Sequence, residues 1–331
     1  MNPSNLDNLV SAVSKQYETA IGSGDAFFYE SQVSVAKTDD VKNVVPWQIR
    51  NVPALLKKPK VVSDEQKTDN PQQNKADVFA PPYVPNLLVK ELDDFTLLLN
   101  KFCVLPRHFL LVTKDFVKQE LPPAPNMLAQ AYQILKAYTP SESGNDMLSF
   151  FNCGQDSGAS QPHCHFQFVE LRPSAPTKPA VPIEVLLDQI ERDGKEMEHV
   201  HVLPVPWRHF VVLLNPPEDA TELENYLGTR FIQLLELMFS TARDNNDVQK
   251  GISNRPSFNV LLTRRSMHVI PRRTESFSLV EAEWGAYKNG GADAAPYSGT
   301  LSVNALDELE ALCTDNSERI LEVLSHTGMA G

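Results

Sequence analysis

One short string of residues occurs in both halves of the chain, and it constrains the fold more than any other feature. The first copy is Leu105-Pro106-Arg107-His108-Phe109, and the second is Val205-Pro206-Trp207-Arg208-His209-Phe210, with one residue inserted. Around both copies the residue patterns predict the same order of strand, turn, strand, helix and two further strands. Self-similarity of this kind indicates a duplicated unit. We therefore expect two fused copies of one α+β unit.

A proline-rich stretch separates the two copies. Pro173, Pro176, Pro179 and Pro182 lie within residues 172–183, as in a stiff connection between folded units. We therefore divide the chain into residues 1–171, which form an N-terminal half, and residues 172–331, which form a C-terminal half.

The most informative motif lies at the end of the first half. His163, His165 and Gln167 alternate with Cys164, Phe166 and Phe168. Because successive side chains of a strand point to opposite faces, this pattern predicts a strand with one polar and one buried face. The preceding residues 157–162 are small and polar, so their backbone N–H groups can approach an anion closely. The combination favours chemistry at a phosphorus atom.

The histidine pair also has non-catalytic interpretations. Two histidines two residues apart can be metal ligands or can belong to an ordinary polar strand face. Only the adjoining loop and the hydrophobic strand make catalysis the stronger interpretation. The second copy has the single His268 at the corresponding place. We therefore expect the second half to be a degenerate scaffold that completes the substrate cleft. We interpret the Arg-His pairs of the repeated string as structural turn residues.

Charge and composition exclude several classes of protein. The chain of 331 residues has a net charge of −12, which argues against binding to nucleic-acid backbones. Its sequence contains neither a membrane-spanning apolar run nor a secretory signal at its start. The four cysteines include no C-x-x-C pair, so no zinc clamp is indicated, and scattered thiols are typical of a reducing compartment. We expect a cytoplasmic protein and leave the nucleus open as a second location.

An anionic substrate of so acidic a protein must be bound by local cations and backbone amides. Residues 53–60 contain Lys57, Lys58 and Lys60. Such a lysine cluster is commonly solvent-exposed and has no ligand. If one of these lysines faces the distal phosphates of a substrate, we prefer Lys58, with Lys57 as the alternative. We expect the polar residues 61–80 to form an exposed loop.

The motif resembles the active site of the histidine-triad superfamily. Ser-Gly-Ala-Ser-Gln-Pro-His-Cys-His-Phe-Gln, at residues 157–167, is similar to the branch in which glutamine replaces the third histidine. That branch holds galactose-1-phosphate uridylyltransferase and the fungal diadenosine tetraphosphate (Ap4A) phosphorylases, also called ATP adenylyltransferases. The strings at residues 99–102, 107–113, 151–154 and 259–263 also resemble the phosphorylases. The uridylyltransferases commonly carry an N-terminal C-x-x-C zinc motif, which this chain lacks.

The resemblance implies two fused units, each with an antiparallel sheet and packed helices. It also implies phosphorolysis of Ap4A to ATP and ADP by reversible nucleotidyl transfer. His165 would attack an α-phosphorus to form a covalent adenylyl-histidine, with His163 orienting it and Gln167 unable to activate water. Splitting of adenylyl sulfate to ADP and sulfate is a further expectation. A sugar-nucleotide uridylyltransferase and a catalytically silent nucleotide-binding protein stay open as alternatives.

The expected ligands are a dinucleoside polyphosphate, inorganic phosphate, ATP and ADP, with no nucleic-acid or membrane partner. Mg²⁺ is expected to bind with the substrate phosphates, and zinc is not expected. Besides Lys58, the residues expected to contact substrate are Asn100, Lys101, Asn152, Gly158, Ala159, Ser160, Gln161, Asn259 and Thr263.

Overall fold

The computed structural model of the chain describes residues 6–30, 32–37, 46–51, 77–138, 144–194, 199–244, 257–274, 276–278, 300–302, 325–326 and 328–329. The lysine-containing residues 53–60, with Lys57 and Lys58, lie outside them.

The described residues form four α-helices. The helices are α1 (Leu9–Ser23), α2 (Pro125–Ala137), α3 (Val185–Arg192) and α4 (Ala220–Asp244). The strands are β1 (Phe27–Phe28), β2 (Gln32–Lys37), β3 (Pro46–Asn51), β4 (Leu88–Glu91), β5 (Phe95–Leu99), β6 (Phe102–Cys103), β7 (Phe109–Thr113), β8 (Asp146–Cys153), β9 (His165–Leu171), β10 (Val200–Val202), β11 (Phe210–Leu213), β12 (Ser257–Leu262), β13 (Ser266–Arg272), β14 (Ser276–Ser278) and β15 (Thr300–Ser302). None of the helices in this part of the chain combines the length and apolar character needed to cross a membrane.

Nine strands form one sheet that runs through both halves. Its order is β10-β11-β13-β12-β8-β9-β7-β5-β4, and every neighbouring pair is antiparallel. The two halves meet where β8 pairs with β12, with Asn152 opposite Asn259. The expected α+β class with antiparallel sheets and packed helices is confirmed, and the sheets of the two units merge into one.

Two hydrophobic cores cover the two faces of this sheet. On one face, α1, α2 and α4 pack against side chains such as Phe109, Phe166 and Phe258. On the other face, α3 and the proline-rich connection cover the C-terminal side around Trp207 and Ile270. Because side chains alternate along β9, Phe166 and Phe168 point into the first core, and His165 and Gln167 point to the opposite face.

The strand register relates the two copies residue by residue. Phe109 pairs with Phe168, and Phe210, which ends the second copy of the repeated string, pairs with Val269. Val269 therefore corresponds to Phe168, so His268 takes the place of Gln167 and Ser266 takes the place of His165. The lone histidine of the second copy thus does not correspond to either histidine of the first.

The connections between the central strands differ most between the copies. Residues 154–164 join β8 to β9, whereas residues 263–265 join β12 to β13 in a tight turn. The motif with His163, His165 and Gln167 lies in and directly after the longer connection.

Candidate active site

The loop after β8 depends on two glycines with positive φ. Gly154 has φ of +87°, and a Cβ placed on it would lie 2.6 Å from Ser257 Oγ and 3.0 Å from Ser257 Cα. Only glycine suits both this conformation and this close approach to β12. A single 3₁₀ turn, Gln155–Ser157, follows and ends at Gly158, with φ of +82°. The loop is thereby folded back toward β9.

A chain of amide groups holds this loop against the sheet. Asn259 Nδ2 donates to Asn152 Oδ1 and to the Ser157 carbonyl, both at 2.9 Å, and Asn152 Nδ2 donates to the Gly158 carbonyl at 3.3 Å. The buried Arg272 donates to Asn259 Oδ1 at 3.1 Å and brings a positive charge behind the loop. Asn152 and Asn259, both predicted substrate contacts, therefore support the loop in this structure.

His165 lies at the start of β9 and is buried, with 4 % of the residue exposed. Its Nδ1 lies 2.7 Å from the His163 carbonyl, so Nδ1 carries the proton and donates. Burial lowers the pKa of His165 to about 4, with a smaller lowering by nearby His163 and an opposing effect from the carbonyl hydrogen bond. The ring is therefore neutral at pH 7, and among the described residues Nε2 makes no hydrogen bond. Nε2 is a nucleophile with an available lone pair.

Gln167 is oriented by His108, which in turn contacts Asn100. Asn100 Oδ1 accepts from the Phe102 backbone N–H at 3.0 Å, and the Asn100 amide nitrogen lies 3.2 Å from His108 Nδ1 and 3.3 Å from His108 Nε2. His108 Nε2 also lies 3.0 Å from Gln167 Oε1. Because an amide oxygen can only accept, Nε2 carries the proton and donates it to Gln167. The NH₂ group of Gln167 is then the end that faces the site.

His163 lies two residues before the start of β9 and is held from two sides. Its Nδ1 lies 2.7 Å from Asp77 Oδ2, and its Nε2 lies 2.8 Å from the Thr113 carbonyl. The same segment that supplies Asp77 places Phe79 edge-on to both histidine rings, with its ring centroid 5.1 Å from that of His165. We expected residues 61–80 to form an exposed loop. Of these, residues 61–76 lie outside the described residues; Val78 is exposed, whereas Asp77 and Phe79 are half-buried.

Not every predicted residue joins this cluster. Gly158, Ala159, Ser160 and Gln161 line the loop beside β9, and Ser160 is exposed. Lys101 is exposed, with Nζ 5.9 Å from the centroid of the Phe102 ring. Thr263 lies in the turn of the second copy, at the opposite end of β12 from Asn259, and donates to Glu184 at 2.7 Å. The structure thus places Thr263 apart from His165.

In the second copy, buried polar side chains occupy the places that correspond to His165 and Gln167. Ser266, in the place of His165, lies 2.8 Å from His268 Nε2 and donates to Glu184 at 3.3 Å. His268 in turn lies 2.9 Å from His209, just as Gln167 contacts His108. All these groups are buried. The expected degenerate second half is consistent with this closed polar network.

A cavity of about 640 Å³ lies on the helix-covered side of β9. Its wall includes Cys164, whose Sγ lies 3.6 Å from Met127 Sδ, but not His165. Of the residues described above, Thr113 lines this cavity, but His163, His165 and Gln167 do not, so the cavity lies apart from the polar face of β9. In the described part of the chain, no group of three or more His, Cys, Asp or Glu side chains is placed to hold a metal ion.

Four side chains of this site were not identified from the sequence. His108 was noticed within the repeated string but interpreted as structural. Asp77, Gln119 and Arg272 carry no local pattern, because their roles depend on partners distant along the chain. The register of β7 and β9 places Leu110 opposite Gln167, and His108, two residues before Leu110, reaches Gln167 diagonally.

Comparisons with known proteins cover nearly the whole chain. The family model described as Ap4A phosphorylase N-terminal domain matches residues 2–189, and that described as ATP adenylyltransferase C-terminal domain matches residues 203–330. Protein APA1 of Saccharomyces cerevisiae is 27% identical over 97% of this chain and 94% of its own length. Diadenosine 5',5'''-P1,P4-tetraphosphate phosphorylase 2 of the same yeast is 28% identical over 84% of this chain and 82% of its own.

A solved structure has the same fold. The crystal structure of yeast Ap4A phosphorylase Apa2 in complex with Ap4A matches with a TM-score of 0.69 and 23% sequence identity, and covers 98% of each chain.

Proposed function

The chain belongs to the Ap4A phosphorylase and ATP adenylyltransferase family and is therefore a nucleotidyltransferase, and we propose that it splits Ap4A with inorganic phosphate through a covalent intermediate on His165. The single observation that carries the proposal is the state of the His165 ring. Its Nδ1–H is tied to the His163 carbonyl, and its Nε2 is neutral and without a hydrogen bond among the described residues.

In the first step, the Nε2 lone pair attacks the α-phosphorus of one adenosine. The bond from that phosphorus to the bridging oxygen breaks, and ATP leaves with the electron pair. A polyphosphate anion is a good leaving group, so little proton donation is needed. The positive charge that develops on the ring is shared with Nδ1–H, which the His163 carbonyl stabilises.

In the second step, inorganic phosphate attacks the same phosphorus, ADP forms and the ring nitrogen leaves. Phosphate is already anionic at pH 7 and needs no base, whereas water does. The Gln167 amide can donate a hydrogen bond but cannot accept a proton as imidazole does. The site therefore favours phosphorolysis over hydrolysis. Two in-line displacements at one phosphorus retain its configuration.

Stabilisation of the anion comes from the loop and from local cations. Gly158, Ala159, Ser160 and Gln161 supply N–H groups and a hydroxyl beside β9, with Arg272 behind them. Lys58 serves the distal phosphates, and Asn100 and Lys101 complete the nucleotide contacts. Mg²⁺ arrives bound to the substrate phosphates, as is usual for this ion. Adenylyl sulfate, with the same adenylyl group and an anionic leaving group, is a second substrate.

The test is mass spectrometry of the protein mixed with Ap4A in the absence of phosphate. We expect one added adenylyl group on the peptide that contains residues 157–172, and its disappearance with formation of ADP when phosphate is added. His165→Asn should give no adduct. The matched control is His201→Ala, since His201 lies on the edge strand β10.

Two outcomes would contradict the proposal. A His165→Asn variant that turns over Ap4A at the wild-type rate would exclude His165 as the nucleophile. A wild-type protein that binds the dinucleotide tightly but forms neither ATP nor ADP would indicate a silent binding protein.

A further inference from the structure

The pairing of β8 with β9 stops just before the catalytic histidine. Phe150 opposite Gln167 is the last pair, so Asn152 and His165 lie two residues beyond it. The side chain of Gln119 fills this gap. Its Nε2 donates to the Asn152 carbonyl at 2.8 Å and to the His165 carbonyl at 3.3 Å, and its Oε1 accepts from the His165 backbone N–H at 2.7 Å.

A glutamine amide has the same donor and acceptor groups as a peptide unit. Inserted between two strands, it can replace the missing pairing while it holds the strands further apart than the usual spacing of about 4.8 Å. Gln119 is 2 % exposed, so these backbone groups would otherwise be buried without partners. The Gln119 amide, which we call the wedge, therefore lets the strands separate at His165 without leaving buried backbone groups unpaired.

The backbone that carries Gln119 is itself attached to the motif. The Gln119 N–H donates to the Pro162 carbonyl at 2.8 Å, and the Cys164 N–H donates to the Val117 carbonyl at 2.8 Å. Residues 117–119 and 162–165 are thus joined at three successive places. Since Nδ1 of His165 is bound to the His163 carbonyl, the position of Nε2 follows from the position of this backbone.

The second copy contains no comparable wedge among its described residues. There β12 and β13 pair as far as Leu262 opposite Met267, and the Thr263 N–H donates to the Ser266 carbonyl at 2.9 Å to close the turn. Ser266, which replaces His165, needs no space for a substrate. Among the described residues, the wedge is found in the half that carries His165.

We propose that Gln119 is a positioning residue of the adenylyl transfer, which holds the backbone of His165 at its N–H and its carbonyl and so fixes Nε2 for attack. This inference rests on the proposed function, because it assigns Gln119 to the nucleophile of that reaction.

The first test is Gln119→Leu, which keeps the apolar part of the side chain and removes the amide. We expect single-turnover adenylylation to slow about 100-fold, the size of effect that a misplacement of about 1 Å produces, with KM for Ap4A changed less than about threefold. Gln130→Leu is the matched control, since Gln130 is a second buried glutamine on α2. Its rate should equal that of the wild type, and thermal unfolding should show that both variants are folded at the assay temperature.

The second test is Gln119→Glu. An ionised carboxylate still accepts from the His165 N–H but faces two carbonyl oxygens, whereas a protonated carboxyl donates to one of them. Burial raises the pKa of a carboxyl, so the rate relative to wild type should recover several-fold as pH falls from 8 to 6. A variant damaged only in its packing would show no such recovery.

Hydrogen exchange of the His165 backbone amide separates the two proposals. We expect the His165 amide to lose its protection from exchange in a folded Gln119→Leu variant. If the leucine variant does not fold, the same loss is expected in Gln119→Glu at pH 8. Both expectations hold whether or not Ap4A is a substrate. Unchanged protection, or adenylylation at the wild-type rate in a folded variant, would overturn the role of Gln119. Failure of the wild type to form an adduct would instead contradict the proposed function.

Discussion

The proposed roles of single side chains depend on which of their atoms carry a proton. His108 Nε2 donates to the Gln167 amide oxygen, because that oxygen can only accept. Gln167 consequently presents its NH₂ group, the end that the anionic acceptor of the proposed reaction requires. The same principle applies to His165, whose bonded Nδ1 leaves Nε2 as the reacting atom of the proposed mechanism.

Replacement of His108 by alanine should release the Gln167 amide. Loss of one orienting hydrogen bond, about 1.4 kcal/mol, should slow phosphorolysis about tenfold. Single-turnover measurement of ADP formation from the adenylylated protein would check this. His209→Ala removes the corresponding histidine of the second copy and should leave the rate per folded molecule unchanged. Equal rates in His108→Ala and wild type would contradict the role of His108.

The low pKa of His165 also predicts a pH dependence. A ring with pKa of about 4 stays neutral at pH 5, so adenylylation by the wild type should change little between pH 8 and pH 5. Phe79→Ala exposes the ring and should raise its pKa toward the ordinary value of about 6.5, so that most of the ring is protonated and inactive at pH 5. The pH profile of the single-turnover rate measures this. Phe116→Ala is the control, because Phe116 contacts His163 instead; identical profiles for both variants would refute the explanation.

At the level of elements, strands and helices with clear patterns could be predicted, and the contacts between them could not. The apolar run at residues 146–153, which a loop of small and polar residues follows, predicts a strand with the bounds that β8 has. The helical spacing of apolar residues within 123–138 predicts a helix, and α2 begins at Pro125 because proline suits the first helical turn. Gln119 and Asp77 could not be assigned, because their partners His165 and His163 lie far away along the chain.

The connection from β8 to β9 depends on Gly154. An added Cβ would collide with Ser257 of β12 and also force a positive φ on a residue that disfavours it. Gly154→Ala should lower the free energy of unfolding by about 1–3 kcal/mol and reduce adenylylation. Gly22→Ala in α1 is the matched control, since a Cβ there meets nothing within 4 Å, and it should stabilise by about 1 kcal/mol. Denaturant unfolding of both variants would measure the difference; equal stabilities would contradict the structural role of Gly154.

Over the whole molecule, buried neutral histidines couple stability to acidity. Burial lowers the pKa of His268 to about 3 and that of His209 well below its ordinary value, and His165 behaves similarly. The unfolded chain binds protons at these groups below about pH 6.5, whereas the folded chain does not, so stability is present above that pH and lost as pH falls.

Each such histidine should contribute a slope of about 1.4 kcal/mol per pH unit below pH 6. His268→Gln replaces one of them with the residue found at the corresponding place in the first copy, and it should make the loss of stability between pH 6 and pH 4 shallower by that amount. Urea unfolding at several pH values measures the slope. An unchanged slope would show that His268 does not titrate as described.

The pairing of β8 with β12 has a consequence for how such a protein can be divided. Expressed alone, either half would end in a long open strand edge rich in apolar side chains, and such edges recruit other chains. Neither piece should therefore stay monomeric, and the two fragments, if produced together, should recombine along this seam. Because the two halves belong to one chain, they need not share any substitution, unlike the subunits of a homodimer. The second half can therefore keep Ser266 bound to Glu184 at the place where the first half has His165.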